Sequence, residues 1–152
     1  MIFKQLFDTV SSTYTYLLAC EATGQAILID PVLPEWERDL AEINKRGLKL
    51  AYTVETHIHA DHISSALKLS QMTGSKIAGP ALDALPCTQV GLEDGVPLQF
   101  GSLELQAIHT PGHTNNHFAY TCQGRLFSGD ALMIEACGRT DFQSGDPAAL
   151  YH

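Results

Sequence analysis

Residues 56–62 read Thr56-His57-Ile58-His59-Ala60-Asp61-His62, so that three imidazoles and one carboxylate lie within seven positions. Side chains two residues apart point to the same side of an extended backbone, which lets His57 and His59 face one ion. Imidazole suits zinc, iron, copper or nickel, and a nearby carboxylate also admits ferrous iron, so the ligand types leave the metal open. The alternative, a solvated polar loop, is disfavoured by the density of the motif. We therefore predict a metal site in this stretch.

Two segments further along the chain extend this prediction. In Thr110-Pro111-Gly112-His113-Thr114, proline and glycine set a turn that presents one histidine at the end of a strand. In Phe127-Ser128-Gly129-Asp130, an apolar strand ends in glycine and a carboxylate. The three segments together, in this order, resemble the metallo-β-lactamase superfamily. The resemblance implies an α+β fold, the αββα sandwich, with the metal at the open edge between two sheets and each ligand on a strand-end loop.

Hydrophobic periodicity gives an independent view of the elements. Trp36, Leu40 and Ile43 lie at helical spacing, and Gly47 follows as a stop signal, which predicts a helix over residues 34–46. A second helix is predicted over residues 62–73, with Gly74 as its stop. Alternating or apolar runs predict strands over residues 2–7, 13–20, 26–29, 48–54, 102–109, 118–122 and 126–127.

The segment after Asp130 narrows the family. Cys137-Gly138-Arg139-Thr140-Asp141-Phe142 is similar to the signature of the persulfide dioxygenases, the family that includes the ethylmalonic encephalopathy protein. Glyoxalase II enzymes also have Cys-Gly-Arg at this point but usually continue with a pair of phenylalanines. The Thr-Asp dipeptide therefore favours the dioxygenases, and the resemblance extends over nearly the whole chain.

This resemblance implies a cofactor, a reaction and roles for the site residues. It implies one Fe(II) per chain, held by His57, His113 and Asp130, with positions left open for substrate and dioxygen. Both oxygen atoms would pass to the outer sulfur of glutathione persulfide, and water would release sulfite and glutathione. His59 is expected to act beside the ligands, although it would be a direct ligand in a zinc hydrolase of this fold. Asp61 and His62 are expected to orient the ligands by hydrogen bonding.

Other polar residues receive simpler interpretations. Arg139 is expected either to anchor the substrate or to form a buried ion pair with Asp141. Asp30, at the end of an apolar strand, is expected to form a plain turn, with hydrogen bonding to the metal ligands as the alternative. His109 and His117 are interpreted as ordinary strand residues and His152 as exposed, and the four cysteines, which lack a C-x-x-C spacing, as reduced.

Length and composition set the remaining limits. The 152 residues suffice for one domain, here residues 1–152, and 45% hydrophobic with 17% charged residues is ordinary for a globular protein. No apolar run approaches the roughly 20 residues of a membrane span. A net charge of −8 argues against nucleic acid as a partner. The first residues lack a signal-peptide pattern, so a cytoplasmic location is expected.

The chain is short for its family, because the persulfide dioxygenases generally continue with further strands and a late histidine. We therefore expect the fold to be incomplete at the C-terminus, which makes homo-oligomerisation possible and a second metal doubtful. Two other functions stay open. One is a glyoxalase II-like zinc hydrolase of thioesters, in which the metal activates a water. The other is a truncated, non-catalytic metal-binding module.

Overall fold

The computed structural model describes residues 1–152, which form two β-sheets packed face to face. The first sheet has six strands in chain order: β1 Ile2–Asp8, β2 Thr13–Ala19, β3 Gln25–Ile29, β4 Lys49–Val54, β5 Lys76–Pro80 and β6 Val90–Leu92. Strands β1 to β3 are antiparallel, and β3 to β6 run parallel to one another. The parallel half needs three crossover connections: an α-helix lies in the first and in the second, and a 3-10 turn lies in the third, between β5 and β6.

The second sheet is antiparallel and has the order β10-β9-β8-β7. Its strands are β7 Pro97–Phe100, β8 Leu103–His109, β9 Phe118–Cys122 and β10 Arg125–Phe127. The helices are α1 Trp36–Lys45, α2 Ala66–Thr73 and the short α3 Pro147–Tyr151, with 3-10 turns at Leu33–Glu35 and Ala81–Asp83. No helix is long and apolar enough to cross a membrane.

The first sheet is buried on both faces, which explains the continuous apolar runs of its central strands. Leu18 of β2 points toward the second sheet, and its neighbour Leu17 points toward α1 and α2. The core between the sheets contains fourteen buried residues, among them Phe100, Leu105 and Tyr120. A smaller cluster of seven buried residues lies under the two helices. The strands that carry the predicted metal ligands are therefore anchored in the larger core.

The structure confirms the predicted α+β sandwich and all seven predicted strands to within a residue or two at each end. The helix predicted over residues 34–46 is α1 together with the turn before it. The second predicted helix begins four residues late, at Ala66. Residues 63–65 stay outside the helix because they bond to the segment after β3: Ser64 forms an isolated β-bridge with Val32, Leu33 N–H donates to Ile63 O at 2.8 Å, and Ser65 N–H donates to Pro31 O at 2.9 Å.

Four elements were not predicted. Strands β5, β6 and β7 are short and carry proline or glycine, which weakens any periodic signal. Helix α3 has only five residues, but it does begin with a recognisable cap. Asp146 accepts hydrogen bonds from Ala148 N–H and Ala149 N–H, and Pro147 occupies the first helical position. The Asp-Pro pair was thus the available signal for this helix.

Truncating a leucine in the core between the sheets tests this packing. Leu105→Ala removes a fully buried side chain, and we expect the free energy of unfolding to fall by about 2–5 kcal/mol in urea denaturation. Leu126→Ala, in the same sheet but 53% exposed, is the matched control and should change stability by no more than about 0.5 kcal/mol. Equal effects of the two substitutions would contradict the assignment of the core.

Candidate metal centre

Three loops meet at one edge of the sandwich and bring the predicted ligands together. His57 follows β4, His113 lies between β8 and β9, and Asp130 follows β10. One ligand atom from each of the three residues can be chosen so that all lie within 4.8 Å of one another. His113 Nε2 is 3.3 Å from Asp130 Oδ2, and the His57 and His113 rings are perpendicular with centroids 4.9 Å apart.

Hydrogen bonds fix which nitrogen each histidine presents. His113 Nδ1 lies 2.8 Å from the backbone oxygen of Arg139, which can only accept, so Nδ1 carries the proton. His57 Nδ1 lies 2.9 Å from Thr56 Oγ1, whose own proton goes to Asp30 Oδ2 at 2.9 Å. His57 Nδ1 is therefore also the protonated nitrogen. Both rings keep the Nε2 lone pair for another partner.

The spacing of these atoms fits a single first-row metal ion. With metal–ligand bonds of about 2.1 Å, two ligands at right angles lie about 3.0 Å apart and two opposite ligands about 4.2 Å. The observed separation of 3.3 Å between His113 and Asp130 corresponds to neighbouring positions. Two imidazoles and one carboxylate form the donor set of non-haem ferrous sites, although zinc accepts the same ligands.

Burial keeps His57 in the form that a metal requires. His57 is buried, and burial lowers its pKa to about 2, with the neighbouring His59 contributing in the same direction. A neutral ring binds a metal without first losing a proton. Burial also raises the pKa of Asp130, while the adjacent His113 opposes that shift.

Asp30 is not the plain turn residue expected from the sequence. Its carboxylate is buried and accepts hydrogen bonds from Thr56 N–H at 2.7 Å and from Thr56 Oγ1 at 2.9 Å. Its backbone adopts φ 49°, and Thr15 Oγ1 donates to its carbonyl at 2.8 Å. Asp30 therefore links the end of β3 to the residue that precedes His57.

His59 lies beside the ligands and turns toward carboxylates. Its Nε2 is 3.1 Å from Asp30 Oδ1 and 3.4 Å from Glu55 Oε2, and its ring packs 4.1 Å from that of His57, centroid to centroid. Burial disfavours the charged ring, but the charges and hydrogen bonds of Asp30 and Glu55 together outweigh it and raise the pKa of His59 well above its ordinary value.

Asp61 and His62 contact each other rather than the ligands. Asp61 Oδ1 lies 3.1 Å from His62 Nδ1, and Thr13 Oγ1 lies 3.2 Å from the same nitrogen. Neither residue hydrogen-bonds to His57, His113 or Asp130. Together with His59 they form a second group whose ligand atoms lie within 4.8 Å of one another.

The Cys-Gly-Arg segment positions two ligands through its backbone, a role that sequence reasoning missed. Gly138 N–H donates to Asp130 O at 2.7 Å, and the next carbonyl, of Arg139, holds His113. A Cβ at residue 138 would lie 2.4 Å from Asp130 O and 2.7 Å from His113 Nδ1. Only glycine fits this close approach.

Arg139 pairs with Asp141, as one of its two interpretations proposed, but the pair is exposed rather than buried. Arg139 Nε donates to Asp141 Oδ1 at 2.8 Å and Nη2 to Oδ2 at 3.0 Å. The two side chains are 63% and 73% exposed. An exposed pair of this kind stabilises a fold little.

The Pro-Gly-His loop contacts helix α3 and the residue that caps it. Asp146 N–H donates to Gly112 O at 2.8 Å, and a Cβ at residue 112 would lie 2.4 Å from Leu150 Cβ. Gly112 has φ 138°, a value that also favours glycine. Helix α3 therefore packs directly on the loop that carries His113.

A cleft of about 660 Å³ opens beside Asp130. The start of β2, with Thr13, Tyr14 and Tyr16, forms one wall together with the turn before it, and residues 132–134 form the other. No lysine or arginine lines it. The cleft is wide enough for a small molecule, but it offers an anionic group neither lysine nor arginine.

The remaining sequence interpretations have mixed outcomes. His152 is exposed and the four cysteines are free, as predicted. The Nε2 of His109 lies 3.0 Å from the carbonyl oxygen of Asn115, away from the ligands. His117 is more than a strand residue, because it is fully buried and hydrogen-bonds to both Thr110 and Asp130.

Comparison with known proteins agrees with this geometry. The family model of the metallo-beta-lactamase superfamily matches residues 8–152. The human mitochondrial persulfide dioxygenase ETHE1 is 41% identical over 160 residues, an alignment that covers the whole of this chain and 61% of the human protein. The chain thus spans about three fifths of the length of that curated relative.

Two further relatives have different names, one an ETHE1 protein and the other a hydrolase. The crystal structure of ETHE1 from Myxococcus xanthus superposes with a TM-score of 0.96 at 44% identity, covering 99% of this chain and 67% of that one. The cytoplasmic hydroxyacylglutathione hydrolase of Arabidopsis thaliana is 31% identical over 150 residues, covering 93% of this chain and 57% of the plant protein.

A methyl group at residue 138 tests the backbone support of the ligands. Gly138→Ala should push Asp130 or His113 out of place and lower metal affinity about tenfold or more while the fold survives. Metal content per chain and circular dichroism measure the two effects. Gly79→Ala is the control, because its added Cβ would meet its nearest neighbour, Glu55 Cβ, at an ordinary 3.7 Å. Full metal content in the Gly138 variant would contradict this reading of the loop.

Proposed function

The chain belongs to the metallo-beta-lactamase superfamily, and we propose that it forms the metal-binding part of an iron-dependent persulfide dioxygenase. The observation that carries the proposal is the set of two histidines and one aspartate gathered around one point, with the Cys-Gly-Arg-Thr-Asp-Phe loop holding two of them. The identities of 41% and 44% to persulfide dioxygenase relatives support it. The activity is proposed for the protein as a whole.

We assign His57, His113 and Asp130 as ligands of one Fe(II). Nε2 of each histidine is free of hydrogen bonds to the fold, and the Asp130 carboxylate lies beside His113. When bound, such an ion supplies coordination sites at which a thiol-derived sulfur and dioxygen can meet. Three protein donors leave about half of an octahedral shell open.

The chain's own residues orient and shield this site. The Arg139 carbonyl and the Thr56 hydroxyl hold the two imidazoles in one tautomer. His59, which packs on His57, and the Asp61–His62 pair line the region beside the ligands, and we assign them a supporting catalytic role. Positioning partners of this kind typically change metal affinity or activity by about 10-fold to 100-fold.

The proposed reaction is balanced with water as the third reactant. Glutathione persulfide, dioxygen and water give glutathione, sulfite and two protons. Both atoms of dioxygen and one oxygen of water end in sulfite, the sulfur–sulfur bond breaks, and the outer sulfur is oxidised. The cleft beside Asp130 is the proposed substrate approach. Because no lysine or arginine lines this cleft, the glutathione carboxylates would bind elsewhere, and Arg139, on the surface, is the candidate anchor.

A zinc-dependent thioester hydrolase is the second candidate. The cluster of His59, Asp61 and His62 favours it, because these groups could hold a second ion next to the first. The similarity to the plant hydroxyacylglutathione hydrolase points the same way. A hydrolase would use a metal-bound water, with a pKa of about 7, to attack a carbonyl.

Removal of one proposed ligand tests the site. His113→Ala should lower metal content and turnover together, because a three-residue site loses a third of its protein donors, while circular dichroism stays unchanged. His109→Ala is the matched control, since His109 flanks the same loop and bonds only to backbone and loop atoms. Full metal and full turnover in the His113 variant would remove this residue from the site.

Substrate and metal specificity test the reaction. The protein prepared anaerobically should contain close to one iron per chain, consume oxygen only when glutathione persulfide is added, and release sulfite. Glutathione alone should be inert, because it lacks the outer sulfur. Tightly bound zinc, no oxygen uptake and rapid cleavage of lactoylglutathione would replace the dioxygenase by the hydrolase.

A further inference from the structure

His117 joins two ligand loops, and we propose that it is a positioning residue that fixes the backbone of Asp130 at the metal. The inference rests on the proposed role of Asp130 as a ligand. His117 is fully buried, and its ring lies 5.0 Å from that of His57 and 6.1 Å from that of His113, between ring centroids. It therefore lies next to the ligands without being one of them.

Both ring nitrogens of His117 are occupied, and their partners fix the tautomer. The backbone N–H of Asp130 can only donate, and it lies 3.1 Å from His117 Nε2, so Nε2 is the acceptor. In the neutral ring the proton then sits on Nδ1, which lies 2.8 Å from Thr110 Oγ1. The ring thus donates to the Pro-Gly-His loop and accepts from the Gly-Asp loop.

The backbone at Asp130 depends on this contact. The preceding Gly129 adopts φ 49°, and a Cβ there would lie only 2.6 Å from His117 Nε2. The chain therefore passes directly over the imidazole as it leaves β10. Gly138 N–H binds the carbonyl of Asp130 at 2.7 Å, so the residue is held at both ends of its backbone. The Asp130 side chain therefore extends from a fixed backbone, and its Oδ2 lies 3.3 Å from His113 Nε2.

Two substitutions separate the hydrogen bond to Asp130 from the rest of the histidine. A glutamine at residue 117 can place an acceptor oxygen near the position of Nε2, whereas an asparagine reaches only about as far as Nδ1. His117→Asn should therefore retain the Thr110 contact and lose the Asp130 contact. His117→Gln should retain the hydrogen bond from the backbone N–H of Asp130.

Titration of the metal-free protein with Co²⁺ gives the readout, through affinity and the visible absorption of the bound ion. We expect His117→Asn to weaken Co²⁺ binding by about 10-fold to 100-fold and to alter the spectrum, as loss of a partner that orients a ligand does. His117→Gln should stay within about threefold of the unchanged protein, well under that loss. His109→Asn is the matched control and should behave like the unchanged protein.

Asp130→Ala distinguishes failure of this inference from failure of the proposed site. If the unchanged protein binds no Co²⁺, or if Asp130→Ala binds it normally, the proposed ligand set fails. If Asp130→Ala loses Co²⁺ and His117→Asn retains it fully, the ligand set stands and the positioning role is overturned. Equal losses in the Asn and Gln variants also overturn it, because ring volume rather than the hydrogen bond would then matter.

Thr110→Val keeps the inference testable if His117→Asn does not fold, as judged by circular dichroism. The valine removes the acceptor for Nδ1, so the opposite tautomer competes and the acceptor for Asp130 N–H is partly lost. Weaker Co²⁺ binding with an altered spectrum is the expected result. A folded Thr110→Val protein with unchanged affinity and spectrum would overturn the proposal.

Discussion

The geometry of the site depends most on the hydrogen bonds that the buried carboxylate of Asp30 accepts. It accepts hydrogen bonds from the backbone and the hydroxyl of Thr56, at 2.7 and 2.9 Å, and lies 3.1 Å from His59 Nε2. An unpaired charge in the interior would be costly, so these donors are required. Because the Thr56 hydroxyl gives its proton to Asp30, it is free to accept that of His57. The first sheet thereby sets the direction of the first ligand.

The other two ligands are oriented by backbone groups. The carbonyl of Arg139 holds His113, and the N–H of Gly138 holds the carbonyl of Asp130. Such contacts depend on the path of the backbone and not on the identity of a side chain. The residue type matters only where the backbone passes too close to its neighbours to leave room for a Cβ. Gly138 is that exception. The Cys-Gly-Arg segment is therefore a structural requirement of the centre as well as a mark of the family.

The sequence predicted the strands from their apolar runs, whereas the sandwich and the three candidate ligands followed from the resemblance of three motifs to a known superfamily. It gave Asp30 a supporting role only as the less favoured alternative and did not predict His117 as part of the network. Their partners lie in other loops, 26 residues from Asp30 at Thr56 and 13 residues from His117 at Asp130, and no local pattern reports such contacts. The late start of α2 has a similar cause, since residues 63–65 bond to the segment after β3. Tertiary contacts decided each of these cases.

The direction of His59 separates the two chemistries that this scaffold could support. Asp30 and Glu55 attract its Nε2, and the two carboxylates together, acting against burial, raise its pKa well above the ordinary value. With Nε2 held by Asp30, Nδ1 is the nitrogen of His59 that is left for a metal, and a hydrolytic centre that used this ring would bind it there. A centre formed by His57, His113 and Asp130 leaves the ring on its carboxylates. Such a centre of three protein ligands has room for two reactants at one ion, whereas a hydrolytic centre needs one activated water.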